Sequence, residues 1–350
     1  MELPKKMIAT KLYGPNDLRL EEFDTPTPGP RDVIIKVEVN GICPSGKDAV
    51  RHGKSWGPPG MPGFPGHEFS GVVVAVGEKV TKVKVGDRVV AETQIRCGEC
   101  YYCRIGKANL CMHRKGTSYF AYAEYLKTHE SVTHKFPENV SFEAAAFTEP
   151  LACVLNGFEK LNMKAGGTTV IIGSGPMGLL HLQMTKNAGG NKVIISDFIE
   201  DRLKVAKKLG AHVTVNPKNE DLKTVVMAET DDIGADNVVV TVASVPAMEQ
   251  ALTIVRKGGT ILYFAGVHSD EPVYVKIDPN IIHYGEVILT GSFDKTPEQF
   301  KRALDLIVNG TVNPEPLISH RLPLTKLMEG YDIVDRREGL KVMVYPHKRD

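Results

Sequence analysis

The fold is decided by Thr168-Thr-Val-Ile-Ile-Gly-Ser-Gly-Pro-Met-Gly178, a stretch in the middle of this 350-residue chain. Its first five residues are all apolar or β-branched, which predicts a buried strand that ends at Ile172. The spacing of apolar residues over 177–188 predicts a helix directly after the turn. A strand, a glycine-rich turn and a helix in immediate succession are typical of a parallel α/β unit.

The glycines of this turn predict a binding site for the pyrophosphate of a dinucleotide. Gly173 permits the tight turn, Gly175 leaves room between the backbone and the pyrophosphate, and Gly178 lets the helix pack closely on the strand. Pro176 and Met177 open the helix, whose free N–H groups and positive dipole end favour phosphate. The three glycines alone are weak evidence, but the strand before them and the helix after them supply the context that the motif requires.

The next strand, Lys192–Ser196, ends directly before Asp197. An acidic residue about twenty positions beyond such glycines can bind both hydroxyls of the adenosine ribose. Because a carboxylate there repels a ribose phosphate, the sequence predicts NAD rather than NADP. Arg202 lies shortly afterwards and keeps NADP open as the less favoured alternative.

The pattern around this unit predicts two domains. Further strand and helix signals alternate up to residue 290, which indicates a doubly wound parallel sheet over 153–292. Residues 1–152 instead contain short strand signals at 33–39, 71–77 and 87–91 between Gly- and Pro-rich turns, which is typical of a barrel-like β domain. A helix over 297–309 and a strand at 341–345 are expected in the segment 293–350, which we expect to return to the first domain.

The overall composition excludes several classes of protein. Hydrophobic residues make up 42% and charged residues 24%, and the net charge is +1, so neither a nucleic acid nor another polyanion is expected as a partner. No apolar stretch is long enough to span a membrane, and the N-terminal residues lack the apolar core of a signal peptide. We therefore expect a cytoplasmic protein without a membrane partner.

The chain has six cysteines, and four of them, Cys97, Cys100, Cys103 and Cys111, fall within one short segment. In a reducing compartment such crowding indicates metal binding rather than disulfides. Four thiolates suit a closed, tetrahedral zinc site that contributes to folding rather than to chemistry.

A second candidate metal site is dispersed along the first domain. Cys43, His67 and Glu68 can supply the three protein ligands that a catalytic zinc commonly has, which leaves one position open. Glu149, at the expected domain junction, is either an alternate ligand or the residue that holds the zinc-bound water. Each of these residues alone would more often be structural, so their combination carries the prediction.

Together these motifs resemble the zinc-containing medium-chain dehydrogenase/reductase family, especially its sorbitol and polyol dehydrogenase branch. The resemblance runs from end to end and includes Gly41-Ile-Cys43, Gly66-His-Glu-Phe-Ser-Gly71, Val85-Gly-Asp-Arg-Val89, the four-cysteine segment, Ala123-Glu-Tyr125, Glu149-Pro-Leu151, the glycine motif, Lys257-Gly-Gly259 and Gly339-Leu-Lys-Val342. It implies an α/β protein with a GroES-like β-barrel catalytic domain and a Rossmann domain. It also implies two zinc ions per chain, one catalytic and one structural, and assembly into a homodimer or homotetramer.

The resemblance further implies a reaction, the NAD-linked oxidation of a secondary alcohol to a ketone. Zinc would act as a Lewis acid on the oxygen of a small alcohol, and hydride would pass to the nicotinamide. Ser45 matches the hydroxyl that relays the alcohol proton in this family. Relatives usually carry an acid at position 46 and a histidine at position 48, whereas this chain has Gly46 and Asp48. Asp48 or His52 is therefore a candidate to complete the relay, and a place in a solvated loop after Cys43 is the alternative for both.

Other departures concern the substrate. Sorbitol dehydrogenases typically show Arg-Tyr where this chain has Asp294-Lys295, which weakens the case for sorbitol itself. Candidate cleft residues are Lys47, Trp56, Tyr119 and Lys295. A polyol or sugar-like substrate is the leading hypothesis. Oxidation of an amino alcohol, as by L-threonine 3-dehydrogenase, is an alternative that Glu149 disfavours, because threonine dehydrogenases usually carry Asp there. A non-catalytic protein that binds NAD and zinc is the alternative from another class.

Overall fold

The structure is a computed structural model that describes residues 3–52, 65–92, 94–117, 120–189, 192–267, 269 and 271–348, without the side chains at positions 48, 116 and 117. It divides into two units, Met1–Ala152 with Lys295–Asp350 and Cys153–Asp294. The first division falls where the sequence predicts it, and the second falls two residues later than predicted. Within the described ranges, no helix combines the length and the apolar character needed to cross a membrane.

Strands predominate in the first part of the chain, and from β10 onward strands alternate with helices. The strands are β1 Lys6–Gly14, β2 Asp17–Asp24, β3 Asp32–Gly41, β4 Glu68–Val76, β5 Arg88–Ala91, β6 Gln94–Ile95, β7 Lys115–Thr117, β8 Tyr125–His129, β9 Thr133–Lys135, β10 Thr168–Ile172, β11 Lys192–Ser196, β12 Val213–Val215, β13 Ala235–Val240, β14 Val255–Tyr263, β15 Ile288–Gly291, β16 Ile318–Pro323 and β17 Lys341–Tyr345. The α-helices are α1 Pro44–His52, α2 Tyr101–Arg104, α3 Phe142–Ala146, α4 Thr148–Phe158, α5 Pro176–Asn187, α6 Glu200–Lys208, α7 Leu222–Glu229, α8 Val245–Ile254, α9 Pro279–Gly285, α10 Pro297–Val308 and α11 Leu327–Asp335. Short 3-10 turns lie at Ala108–Leu110, Glu130–Val132, Glu315–Leu317 and Leu324–Lys326.

The first unit is built on a curved sheet with β3 near its centre. Its described strands run in the order β16-β17-β3-β4-β5-β9, and β8 also pairs with β3. The pairing of β3 with β4 shifts register between Ile34 and Ile35 and again between Val37 and Val39. Such bulges bend a strand, which suits the predicted GroES-like barrel. Antiparallel pairing of β17 with β3 confirms that the C-terminal segment returns to the first domain.

The second unit is a parallel sheet whose described strands lie in the order β12-β11-β10-β13-β14-β15. This is the order of the doubly wound dinucleotide-binding fold, in which ligands bind where the strand order reverses. The central strand β10 is covered on both faces, since Val170 and Ile171 are both fully buried. The predicted α/β fold is therefore confirmed, and the glycine turn follows the strand at the point of reversal.

The segment after Cys43 was expected to be a loop and is instead the helix α1. Proline is favoured in the first turn of a helix, which suits Pro44 at this position. Ala49 and Val50 are buried on the inner face of α1, and Val50 packs in one apolar cluster with Tyr331 of α11. Burial of this face outweighs the weak helix propensity of the Pro-Ser-Gly sequence.

Charged residues also tie α1 to α11. Arg51 pairs with Asp332 at 2.5 Å and with Asp335 at 2.6 Å. Lys47, which the sequence suggested as a cleft residue, forms an ion pair with Asp335 at 3.0 Å. These contacts fix the helix that begins one residue after Cys43.

The burial of one histidine predicts that the second unit loses stability as the pH falls. His181 of α5 is fully buried and packs edge-on against Phe264 at 4.8 Å between ring centroids. Burial lowers the pKa of His181 from 6.5 to about 3, so the unfolded chain binds a proton that the folded state excludes. The stability present above pH 6.5 is therefore lost as the pH falls toward 3, at up to about 1.4 kcal/mol per pH unit.

Thermal unfolding of the wild type and of His181→Leu, followed from pH 7.5 to pH 4, tests this prediction. The difference in melting temperature between the two proteins should shift in favour of the variant as the pH falls, because leucine cannot be protonated. Other titrating groups are common to both proteins and cancel in the difference. Parallel pH dependences would contradict the prediction.

Candidate active site

The glycine turn has the geometry that its sequence requires. Gly173 has φ +107°, a left-handed conformation that favours glycine. At Gly178 a Cβ atom would lie 1.9 Å from the carbonyl oxygen of Gly173, so no larger residue fits between α5 and the strand. Pro176 is the first residue of α5 and Gly175 is its N-cap, with Met177 in the first turn. The N–H groups of this first turn would suit a phosphate, and their role in cofactor binding stays a prediction.

Asp197 closes this turn from the neighbouring strand. Its two carboxylate oxygens accept hydrogen bonds from the backbone N–H of Ser174 at 2.7 Å and of Ile199 at 2.9 Å. The side chain of Arg202 also reaches the turn, since its Nη1 lies 3.7 Å from the position of a Cβ atom on Gly175. The structure thus brings both predicted ribose-side residues to the glycine motif.

The four cysteines form a compact cluster of sulfur atoms. All four Sγ atoms lie within 4.8 Å of one another. Backbone N–H groups donate to these sulfur atoms, among them that of Cys97 to Cys111 Sγ at 3.4 Å and that of Cys100 to Cys97 Sγ at 3.3 Å. Hydrogen bonds from the backbone of Cys103 and Met112 lower the pKa of Cys100 to about 6, while desolvation raises the pKa of Cys103 to about 12. A bound dication would remove the remaining protons, as thiolate ligation requires.

The second cluster joins residues that lie far apart in the sequence. Cys43 follows the end of β3, and Glu68 begins β4 directly after His67. Gly41 and Glu68 are directly paired in the antiparallel register of β3 and β4. This pairing brings the ligand atoms of Cys43, His67 and Glu68 within 4.8 Å of one another.

The electrostatics of this cluster favour a cation. Burial alone lowers the pKa of His67, but the nearby Cys43, together with Glu149 and Glu68, raises it to about 9. The protein thus concentrates negative charge around this imidazole. A metal ion can neutralise that charge in place of a proton, which fits the donor set of sulfur, nitrogen and carboxylate oxygen.

Two buried lysines accompany the two glutamates of the site. The ammonium of Lys341 forms an ion pair with Glu68 and donates to the carbonyl oxygen of Ile42 at 3.2 Å. The ammonium of Lys295 forms an ion pair with Glu149, which lies in the first turn of α4. Lys295 was a candidate cleft residue, whereas Lys341 was missed. Its signal was a single lysine that opens the apolar strand Lys341-Val-Met-Val-Tyr345.

The proton-relay candidates lie in α1. The hydroxyl of Ser45 is 3.1 Å from Cys43 Sγ, so Ser45 is beside the metal cluster as the sequence suggested. His52 ends the helix and is exposed. The side chain of Asp48 lies outside the described part of the structure, as do Trp56 and Tyr119, so their roles stay predictions.

Comparison with known proteins agrees with this geometry. Residues 29–138 match the model of the alcohol dehydrogenase GroES-like domain, and residues 176–309 match that of the zinc-binding dehydrogenase. A D-arabitol-phosphate dehydrogenase from Enterococcus avium is 36% identical over 98% of each chain. The chain belongs to the zinc-dependent alcohol dehydrogenase family. A sorbitol dehydrogenase from Halalkalibacterium halodurans is 34% identical over 98% of this dehydrogenase and 99% of the relative.

Solved structures extend the agreement to the cofactor. A zinc-binding dehydrogenase from Sinorhizobium meliloti, bound to NADP, has a TM-score of 0.88 and 30% identity over 98% of this chain and 100% of its own. An alcohol dehydrogenase from Escherichia coli, complexed with NADH, has a TM-score of 0.87 and 28% identity with the same coverage. This dehydrogenase is thus an oxidoreductase that uses zinc and a nicotinamide cofactor.

Proposed function

We propose that this dehydrogenase oxidises a secondary alcohol of a polyol or sugar-like substrate to a ketone, with NAD as the hydride acceptor. The observation that supports this proposal most strongly is that the ligand atoms of Cys43, His67 and Glu68 lie within 4.8 Å of one another, with the hydroxyl of Ser45 beside Cys43. The similarity to a polyol-phosphate dehydrogenase and a sorbitol dehydrogenase supports the substrate class.

The residues of the two metal sites and their neighbours have distinct roles in this reaction. Zinc held by Cys43, His67 and Glu68 supplies Lewis acidity toward the alcohol oxygen, and the nicotinamide supplies the hydride acceptor. Lys341 holds the Glu68 carboxylate in place through its buried ion pair. Ser45 Oγ, 3.1 Å from Cys43 Sγ, would accept the alcohol proton as it gives up its own to the next group of the relay, for which Asp48 and His52 are the candidates. We propose that the second zinc is held by the four cysteines and has a structural role.

A substrate panel tests this function. Enzyme of known zinc content is incubated with NAD and polyols, polyol phosphates, sugar acids, simple secondary alcohols or L-threonine, and NADH formation is followed. Turnover with polyols or their phosphates, lost together with zinc on chelation, is the expected result. Preference for L-threonine would favour the amino-alcohol alternative, and NAD binding without turnover of any substrate would favour the non-catalytic one.

The preference for NAD over NADP is part of the proposal and rests on Asp197. Its carboxylate lies at the glycine turn, where it would repel a ribose phosphate. Asp197→Ala should raise the KM for NAD by about tenfold or more, since a lost charge-assisted hydrogen bond costs about 1.5–3 kcal/mol. The rate at saturating NAD should change little, because Asp197 is expected to bind the adenosine ribose and not the nicotinamide, which accepts the hydride.

Steady-state kinetics with both cofactors checks this prediction. Lys204→Ala, an exposed substitution in the same region, serves as the control and should leave both KM values unchanged. An unaltered KM for NAD in Asp197→Ala would remove this residue from the cofactor site.

We also propose that the enzyme is a homodimer or homotetramer in the cytoplasm. The edge strand β15 and the residues beside it expose large apolar side chains, among them Tyr284, Ile288 and Phe293, which suits burial against another subunit. All six cysteines lie in the described ranges and none forms a disulfide, as expected in a reducing compartment. The molar mass from light scattering tests the assembly, and a monomer at micromolar concentration would contradict it.

A further inference from the structure

The two glutamates of the metal site differ in how the fold holds them. Glu68 opens β4, and its pairing with Gly41 fixes it beside Cys43 and His67. At Gly41 a Cβ atom would lie 2.5 Å from Glu68 Oε2, so the Glu68 side chain packs directly against the backbone of the paired strand. Glu149 is supplied by a different element, the first turn of α4. The start of α4 nevertheless adjoins the site, because the ring centroid of Phe147, two residues before Glu149, lies 5.8 Å from the Lys341 ammonium that pairs with Glu68.

Glu149 forms an ion pair with the ammonium of Lys295, and both side chains are buried. Their exposed fractions are 8% for Glu149 and 3% for Lys295, and Lys295 Nζ donates a hydrogen bond to Glu149 Oε1. A buried carboxylate is costly unless a cation neutralises it. The Glu149 carboxylate could be neutralised either by the Lys295 ammonium or by a metal ion at the neighbouring site.

The backbone on both sides of Lys295 is held in place. The next residue, Thr296, is the N-cap of α10, and its hydroxyl accepts from the N–H of Gln299 at 3.2 Å while the Gln299 side chain accepts from the N–H of Thr296 at 2.9 Å. The carbonyl oxygen of Lys295 accepts from Arg96 Nη2 at 3.4 Å. The ammonium is therefore presented to Glu149 from a fixed position.

We propose that Lys295 is a positioning residue that holds Glu149 outside the coordination shell of the catalytic metal, so that Cys43, His67 and Glu68 remain its protein ligands. The inference rests on the proposed function, because it assumes a metal at this cluster. It assigns a role to one of the positions at which the chain departs from sorbitol dehydrogenases. It also decides between the two roles that the sequence left open for Glu149, in favour of a residue that is not a ligand.

Cobalt substitution tests this assignment without relying on activity. In enzyme that carries Co²⁺ at the catalytic site and zinc at the four cysteines, the visible absorption of cobalt weakens when the metal gains a ligand. Glu149→Gln should leave the bands unchanged, since Glu149 is not a ligand. Lys295→Met should weaken them, because the freed carboxylate turns to the metal. The double variant Lys295→Met/Glu149→Gln should recover the wild-type bands, and Lys295→Arg should retain them.

Two results would overturn the assignment. A changed spectrum in Glu149→Gln would mean that Glu149 is a ligand in the native enzyme, and an unchanged spectrum in folded Lys295→Met would mean that the lysine does not restrain it. If Lys295→Met does not fold, as judged by circular dichroism, Glu149→Gln alone decides. A cobalt spectrum that is unaffected by Cys43→Ser would instead refute the metal site itself, and with it the proposed function.

Discussion

Cys43→Ser should lower kcat/KM by at least about a thousandfold, because Lewis-acid activation of the substrate oxygen contributes several kcal/mol to the reaction. A serine hydroxyl is not ionised at neutral pH and is a poor replacement for a thiolate ligand. The neighbouring Ser45 is 3.1 Å from the cysteine sulfur and cannot restore the missing charge. Steady-state kinetics with the best substrate of the panel, together with the zinc content per chain, provides the measurement.

The same variant should remain folded and should bind NAD as the wild type does. Cys43 is only partly buried, and serine is of similar size, so the packing around it changes little. The melting temperature and the dissociation constant for NAD are therefore the controls. Retention of full activity in zinc-depleted Cys43→Ser would exclude this cluster as the catalytic centre.

Cys97→Ser, in contrast to Cys43→Ser, should cause a large loss of stability. Cys97 Sγ lies 3.9 Å from Cys103 Sγ and 3.5 Å from Cys111 Sγ, so its removal opens the four-sulfur cluster. Structural zinc in small sites contributes about 10–16 kcal/mol of apparent folding free energy. We therefore expect the free energy of unfolding of the first unit to fall by several kcal/mol.

Thermal unfolding followed by circular dichroism, with zinc counted before and after, measures this loss. The two Cys→Ser variants are matched controls for each other, since the same chemical change is made at a catalytic and at a structural site. Unchanged stability in Cys97→Ser, after the loss of one zinc, would show that the cluster does not support the fold.

Local sequence patterns were sufficient to predict the fold. The strand Thr168–Ile172 and the strand Lys192–Ser196 were predicted with the bounds that the structure shows. Buried parallel strands have continuous apolar runs, and glycines mark their turns, so both signals lie within a few residues. The four-cysteine site could also be predicted from the sequence, because its residues occupy one short segment.

Features that depend on long-range contacts were not predictable in the same way. The helix α1 was predicted as a loop, because Pro-Ser-Gly disfavours a helix and the compensating burial of Val50 against Tyr331 of α11 is a long-range contact. The pair of Lys341 with Glu68 joins residues that are far apart in the sequence. Its formation depends on the return of β17 to β3, and no local pattern records which glutamate a buried lysine will meet.

The most direct test of catalysis at the Cys43, His67 and Glu68 site is the return of activity to metal-depleted enzyme as zinc is added back. With the four-cysteine site kept loaded, NADH formation from the best polyol substrate should rise in proportion to the zinc bound and reach its maximum when the Cys43, His67 and Glu68 site is filled once per chain. Cys43→Ser, treated in the same way, should regain none of it. Full turnover before any zinc is returned to this site would contradict the assignment of Cys43, His67 and Glu68 as ligands of the catalytic metal.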